Sequence, residues 1–212
     1  MNMTEDEQLA QIKDWWQRNG KPLLMGVVLA LVLVLGWQAW RNHQQQQAHE
    51  ASMLYQELLT KVLSGTDLDL AEIARLGNTL KEQHGGTHYA QFGALFLAKV
   101  AVESGDLDEA ASTLDALVKE PAGPTIEELA RQRLAAVLAA QGKTEEGLKL
   151  LDGQAPTAYQ ASREELKGDL LVQLGRLDDA HAAYVKAKAA LSEEAAVGGL
   201  QLKLDDLARG EA

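Results

Sequence analysis

Gly105-Asp106-Leu107-Asp108-Glu109-Ala110 recurs as Gly175-Arg176-Leu177-Asp178-Asp179-Ala180. A weaker copy, Gly142-Lys143-Thr144-Glu145-Glu146-Gly147, lies between them, so the glycines stand 37 and 33 residues apart. Each copy follows one apolar helical pattern and precedes another. The glycine lets the chain leave the first helix through the left-handed region, which a residue without Cβ enters at little cost. The small residue five positions on (Ala110, Gly147 or Ala180) lets two helices approach closely. Gly147 does so at some cost in helix propensity. Large residues four further on, Leu114, Leu151 and Tyr184, fall where the second helix packs.

A period near 34 built from helix–turn–helix units is the tetratricopeptide period. The match is partial. The Trp and the Leu-Gly pair of a full repeat are mostly missing, with Leu97-Ala98 and Leu134-Ala135 as tolerable substitutes and Lys167-Gly168 in the last unit. The pattern reads as four helix pairs: 44–64 with 69–83, 88–104 with 107–119, 125–141 with 144–152, and 159–174 with 177–190. A more degenerate unit centres on Gly65. Gly85-Gly86, Pro121–Pro124 and Gly153–Thr157 punctuate the units. A last helix over 193–208, with Val197, Leu200, Leu204 and Leu207 on one face, would cover the apolar flank of the terminal repeat. Gly198-Gly199 weakens its start. The fold class is therefore all-α: a tetratricopeptide-like α-solenoid over 51–212.

Ahead of the repeats runs a second deciding stretch, Pro22 to Trp40, uncharged and with Gln38 as its one strongly polar residue. As a helix it spans roughly 28 Å, close to the hydrocarbon thickness of a bilayer. All four tryptophans flank it: Trp15 and Trp16 before, Trp37 and Trp40 at the end. Indole rings favour the headgroup level. A cleaved signal peptide would have a shorter apolar region ending in small residues, and Gly-Trp-Gln-Ala-Trp is a poor cleavage site. A buried core helix has no reason to place tryptophans at both ends. The reading is an uncleaved signal anchor. Lys13, Arg18 and Lys21 precede the span, and only Arg41 follows within twenty residues, which places the N-terminus in the cytoplasm and the bulk across the membrane. Gly26 and Ala30 form a small patch where another transmembrane helix fits, or simply lipid.

Residues 1–21 read as a cytoplasmic tail. Thr4–Glu7 is a capping box, Leu9, Ile12 and Trp16 share a face, and Asn19-Gly20 stops a short amphipathic helix before Pro22 opens the next. The segment 41–50 has two readings: continuation of the anchor helix, since it holds no Gly or Pro, or a flexible glutamine-rich tether.

Composition excludes several functions. The 212 residues carry a net charge of −11, so the basic footprint of a nucleic-acid binder is missing. No cysteine is present, which removes disulfides, thiol catalysis and zinc–thiolate sites. His84 and His88 have metal-ligand spacing, but Gly85-Gly86 lies between them. The acidic pairs 108–109, 145–146 and 178–179 open second helices, where they stabilise free N–H groups and the dipole. Phosphate loops, nucleophile elbows and H-E-x-x-H are absent. The expectation is no enzyme, no cofactor and no small-molecule substrate. What a helical solenoid offers instead is a concave surface. By register, Lys99, Gln132, Glu165 and Asp169 point into it, with Phe92, Leu95 and Val172 as apolar neighbours. A partner segment with apolar anchors and some positive charge would suit that groove; ordinary solvated helix faces are the competing reading.

The tail DWWQRNGKPLL, a Gly-containing anchor, ASMLYQELL and degenerate repeats together resemble the YfgM family of bacterial inner-membrane proteins, over nearly the whole chain. The resemblance implies an ancillary subunit of the SecYEG translocon, located in the inner membrane with its C-terminal domain in the periplasm. It implies association with a membrane-anchored periplasmic chaperone of prolyl-isomerase type, help in handing translocated proteins to chaperones, and a link to envelope stress regulation. A scaffold for a different cell-envelope assembly is the alternative. The family supplies no catalytic residue.

Overall fold

The computed structural model describes residues 5–64, 69–191 and 198–210, and these are helical throughout apart from their connections. Two compact units arise, one reaching to His49 and the other starting at Glu50. The first unit is one stretch of helix α1, Glu5–Ser64. Every residue from Lys21 to Trp40 in it is exposed, as a lipid-facing helix requires. The run is long and apolar enough to cross a membrane, and none of it is buried. The Trp37 and Trp40 rings pack on each other, centroids 5.3 Å apart.

The stop expected at Asn19-Gly20 does not occur, and α1 runs through both residues and through Pro22. Asn19 turns its amide back to the Trp15 carbonyl at 3.1 Å, inside its own helix. Asn, Gly and Pro are weak stops when helix on both sides keeps the backbone paired. The stretch 41–50 is helical as well. Thr4, Gly65 and Val197 lie outside the described residues.

The second unit is built on the repeat. Its helices are the end of α1, then α2 (Leu70–His84), α3 (His88–Glu103), α4 (Leu107–Lys119), α5 (Pro124–Ala140), α6 (Thr144–Leu150), α7 (Gln160–Gln173), α8 (Leu177–Ala190) and α9 (Gly198–Gly210). A 3₁₀ turn, Thr157–Tyr159, leads into α7. The second helix of the third pair is shorter than expected and ends at Leu150. Gly105, Gly142 and Gly175 have φ of 82°, 79° and 73°, so the repeat's turn is left-handed each time. The residue after each turn glycine is Asp, Lys or Arg. Only Asp106 caps its helix, its Oδ1 accepting the Glu109 N–H at 3.0 Å. At α6 and α8 no side chain does so, and the acidic pairs in the first turn meet the dipole alone.

The core is a series of small clusters, not one centre. Ala51 and Leu58 of α1 pack with Leu76, Leu80 and Ala90. Leu95, Leu114, Ala130 and Leu134 join α3, α4 and α5. Ala135, Leu151, Leu170 and Ala180 join the third and fourth pairs. Tyr184, Ala187, Leu200 and Leu204 seat α9 on α8. The repeat positions Leu114, Leu151 and Tyr184 are all buried, as the spacing predicts. Each cluster hands over to the next, which is how repeats share a core.

Candidate partner-binding groove

The inner layer is set by the first helices of each pair, since α3 meets α5 and α5 meets α7 directly. Between α3, α4 and α5 this layer opens into a trough of about 330 Å³. Leu95 and Ala98 of α3, Leu114 of α4, and Ala136 and Val137 of α5 form its apolar surface. The spacing is that of one helix face, i, i+3, i+4 and i+7, which brings Lys99 and Val102 into the same wall. Arg133 and Lys99 are the charged residues lining it. Leu95 is almost fully buried, so it forms floor and core at once. Phe92 is half-buried and stacks on Tyr55 of α1 at 5.8 Å, beside Tyr89 and Phe96.

Arg133 is the residue that the register missed, by one position. Gln132, expected to face inward, instead donates to Glu128 at 2.7 Å. Glu128 belongs to a polar seam between α5 and α7: Arg163 Nε donates to its Oε1 at 2.8 Å, and a second contact joins Arg163 Nη2 to Oε2. Both partners are buried, with 5% and 3% of their side chains exposed. Burial pushes the Glu128 carboxyl up, but the hydrogen bonds from Arg163 and Gln132 outweigh it and hold the pKa below the ordinary value. No local pattern announces this pair. Its one trace in the sequence is a separation of 35 residues, close to the repeat period.

Further along the inner layer, α7 carries Glu165, Asp169 and Val172. Val172 is exposed. The two carboxylates are occupied by α9: Lys203 Nζ donates to Glu165 at 2.8 Å and to both oxygens of Asp169 at 2.7 and 2.9 Å. The Tyr184 hydroxyl donates to Asp169 at 2.8 Å. Burial, then this bond and the neighbouring carboxylates, push the Tyr184 pKa up. Gly168 makes room for that ring, since a Cβ there would sit 2.3 Å from it. The expectation of a positively charged partner rested on Glu165 and Asp169, and the chain already supplies their cation.

His84 and His88 close α2 and open α3, and no group of three or more metal-ligating side chains occurs among the described residues. Gly26 and Ala30 lie on the exposed part of α1, and a Cβ at Gly26 would meet nothing within 4 Å.

A stack of helical hairpins with an apolar trough, and with no cluster of metal-ligating side chains among the described residues, has the build of a docking module. The family model described as tetratricopeptide repeat-like domain matches residues 13–209, and the chain belongs to that family. It is similar to proteins named ancillary SecYEG translocon subunit in three organisms. The one from Haemophilus influenzae is 28% identical over 174 residues, covering 82% of this chain and 83% of the relative. The one from Escherichia coli K12 is 27% identical over 208 residues, 96% of each. The one from Neisseria gonorrhoeae is 26% identical over 208 residues, 97% and 98%. The resemblance to the YfgM family therefore holds over the length of the chain. These relatives are named for an ancillary role and not for a reaction. The exposed apolar helix and the same homology support membrane anchoring.

Proposed function

We propose that this chain is a non-catalytic adaptor at the SecYEG translocon, which docks periplasmic chaperones near the channel exit and aids hand-over of translocated proteins. The observation that carries the reading is the similarity, end to end, to relatives named ancillary SecYEG translocon subunit. Residues 1–21 lie in the cytoplasm, 22–40 cross the bilayer, and 51–212 stand in the periplasm, in keeping with the basic residues ahead of the span. Gly26 and Ala30 offer the face for a neighbouring transmembrane helix. The docking surface is the inner layer of α3, α5 and α7, with Phe92, Leu95, Lys99, Gln132, Glu165, Asp169 and Val172 in or beside it. A membrane-anchored chaperone of prolyl-isomerase type is the expected partner, and a contribution to envelope stress regulation goes with that role. The mechanism is positional: tethering raises the effective concentration of the docking surface at the exit, to the millimolar range for a short tether.

In vivo photocrosslinking from exposed positions in α3 and α5 tests it. Translocon subunits and a periplasmic chaperone are the expected products. Recovery of other envelope machinery alone would overturn the reading. A reporter fused after Ala212 that is active only in the cytoplasm would overturn the orientation.

A further inference from the structure

The trough between α3 and α5 reverses the charge of its surroundings. The chain carries −11 overall, yet among the described residues the charged side chains lining this trough are two cations, Lys99 and Arg133, with no carboxylate. Arg133 makes one hydrogen bond, to the Leu95 carbonyl at a long 3.4 Å, and no ion pair among the described residues. Arg133 is exposed over the trough, and the atoms packed beside it push its pKa down, with Tyr55 opposing. Lys99 has a loose partner one turn on, Glu103 at 3.6 Å, with both side chains substantially exposed. An exposed pair of that geometry contributes little and gives way to a better acceptor. Elsewhere on the same inner layer the cation Lys203 is fully engaged by Glu165 and Asp169. At the trough itself the charge that lacks a carboxylate partner among the described residues is that of Arg133, and it sits over apolar surface. A guanidinium forks onto a carboxylate with two parallel bonds, and does so more strongly where water is scarce.

We propose that the α3–α5 trough binds an acidic–apolar peptide segment, one large apolar side chain seated on Ala98, Leu114 and Val137 and a carboxylate held by Arg133 and Lys99. The proposal rests on the reading of the repeats as a docking module, and reverses the sign of the partner that the sequence suggested. A peptide fits better than a lipid because the trough is open, walled by three helices, and has room for one or two side chains. Its volume of about 330 Å³ is at the low end for ligand sites.

The test uses the full-length chain in detergent and a fluorescein-labelled octapeptide of Leu and Phe flanked by Glu, with a matched peptide carrying Lys in place of Glu. The acidic peptide is expected to bind at least about tenfold more tightly than the basic one, and more weakly at high salt. Arg133→Glu and Lys99→Glu are each expected to weaken it by about tenfold or more, while Asp178→Asn, on the first turn of α8, leaves it unchanged. Lys99 is exposed, so its variant keeps the test valid if Arg133→Glu perturbs folding. Equal or tighter binding of the basic peptide, no response to Lys99→Glu, or displacement by palmitate in preference to the acidic peptide would each overturn the proposal. Loss of peptide binding with intact crosslinking to the translocon would sink this inference alone. The reverse result would sink only the place of action.

Discussion

The inner faces of α3–α5 and of α7 occupy the same position in successive repeats and reach opposite ends. The first is apolar and open, with Arg133 lacking a carboxylate among the described residues. The second is acidic and closed, with Lys203 of α9 on Glu165 and Asp169 and the Tyr184 hydroxyl on the same aspartate. Between them stands the buried Glu128–Arg163 pair. Two arginines thus show two uses of one side chain. Arg163 is enclosed and doubly bonded, so it belongs to the fold. Arg133 gains nothing comparable from the fold, so its charge is available for something else. The α7 face is specified by internal pairing and the α3–α5 face by its absence.

The largest break of the contrast is at the seam. Glu128→Ala leaves Arg163 buried without its carboxylate and should cost about 3–5 kcal/mol, read as a lowered midpoint in urea melts of the whole chain. The pH dependence of the same group has a definite sign. Its folded pKa is depressed, so its contribution is full above the unfolded value of about 4.3 and is lost as pH falls through the lower folded value. Glu128→Gln should flatten that part of an acid titration of stability. Next comes the packing of the closed face. Gly168→Ala places a methyl group into the Tyr184 ring and should cost about 1–3 kcal/mol, with Tyr184→Leu in the same chain recovering part of it.

A smaller effect is expected from Lys203→Met, about 1 kcal/mol, because the bridges are half-exposed. Its readout is local: faster hydrogen exchange in α9 and the end of α8, with α3–α5 unchanged. Burial lowers the Lys203 pKa, but the bonds from Asp169 and Glu165 win and raise it. That stabilisation is present below the ordinary lysine value and disappears as pH rises through the folded one. The smallest effect sharpens the comparison most. Arg133→Met should change stability by no more than about 0.5 kcal/mol, in contrast to Arg163→Met. A large loss at Arg133 would place it in the fold and remove the distinction between the two faces.

What the sequence disclosed was local. Gly105, Gly142 and Gly175 have to be glycine because their φ is positive, and Leu114, Leu151 and Tyr184 are buried where the spacing puts them. Such signals depend on a few neighbouring residues and survive degeneration of the repeat. The register points to Gln132, while Arg133 next to it lines the trough; one residue rotates a helix position by about 100°, and degenerate repeats do not fix register that finely. The α9 cover was legible from Leu200, Leu204 and Leu207, but not its cation, since Lys203 reads as an ordinary solvated residue. The Asn19-Gly20 stop failed for the opposite reason: a local signal was present and the helix on either side overrode it.

Four of the distant side-chain bonds of the second unit span about one repeat. Arg163 to Glu128 spans 35 residues, Gln141 to Asp108 spans 33, Lys203 to Asp169 spans 34 and Arg133 to Leu95 spans 38. Each of these clasps therefore joins a repeat to the one beside it. A chain fastened in this way frays like a zip, from a free end inward, and an inserted residue is absorbed in a turn without disturbing clasps two units away. Damage stays where it falls, which leaves the trough free to change its lining over evolutionary time while the neighbouring repeats hold.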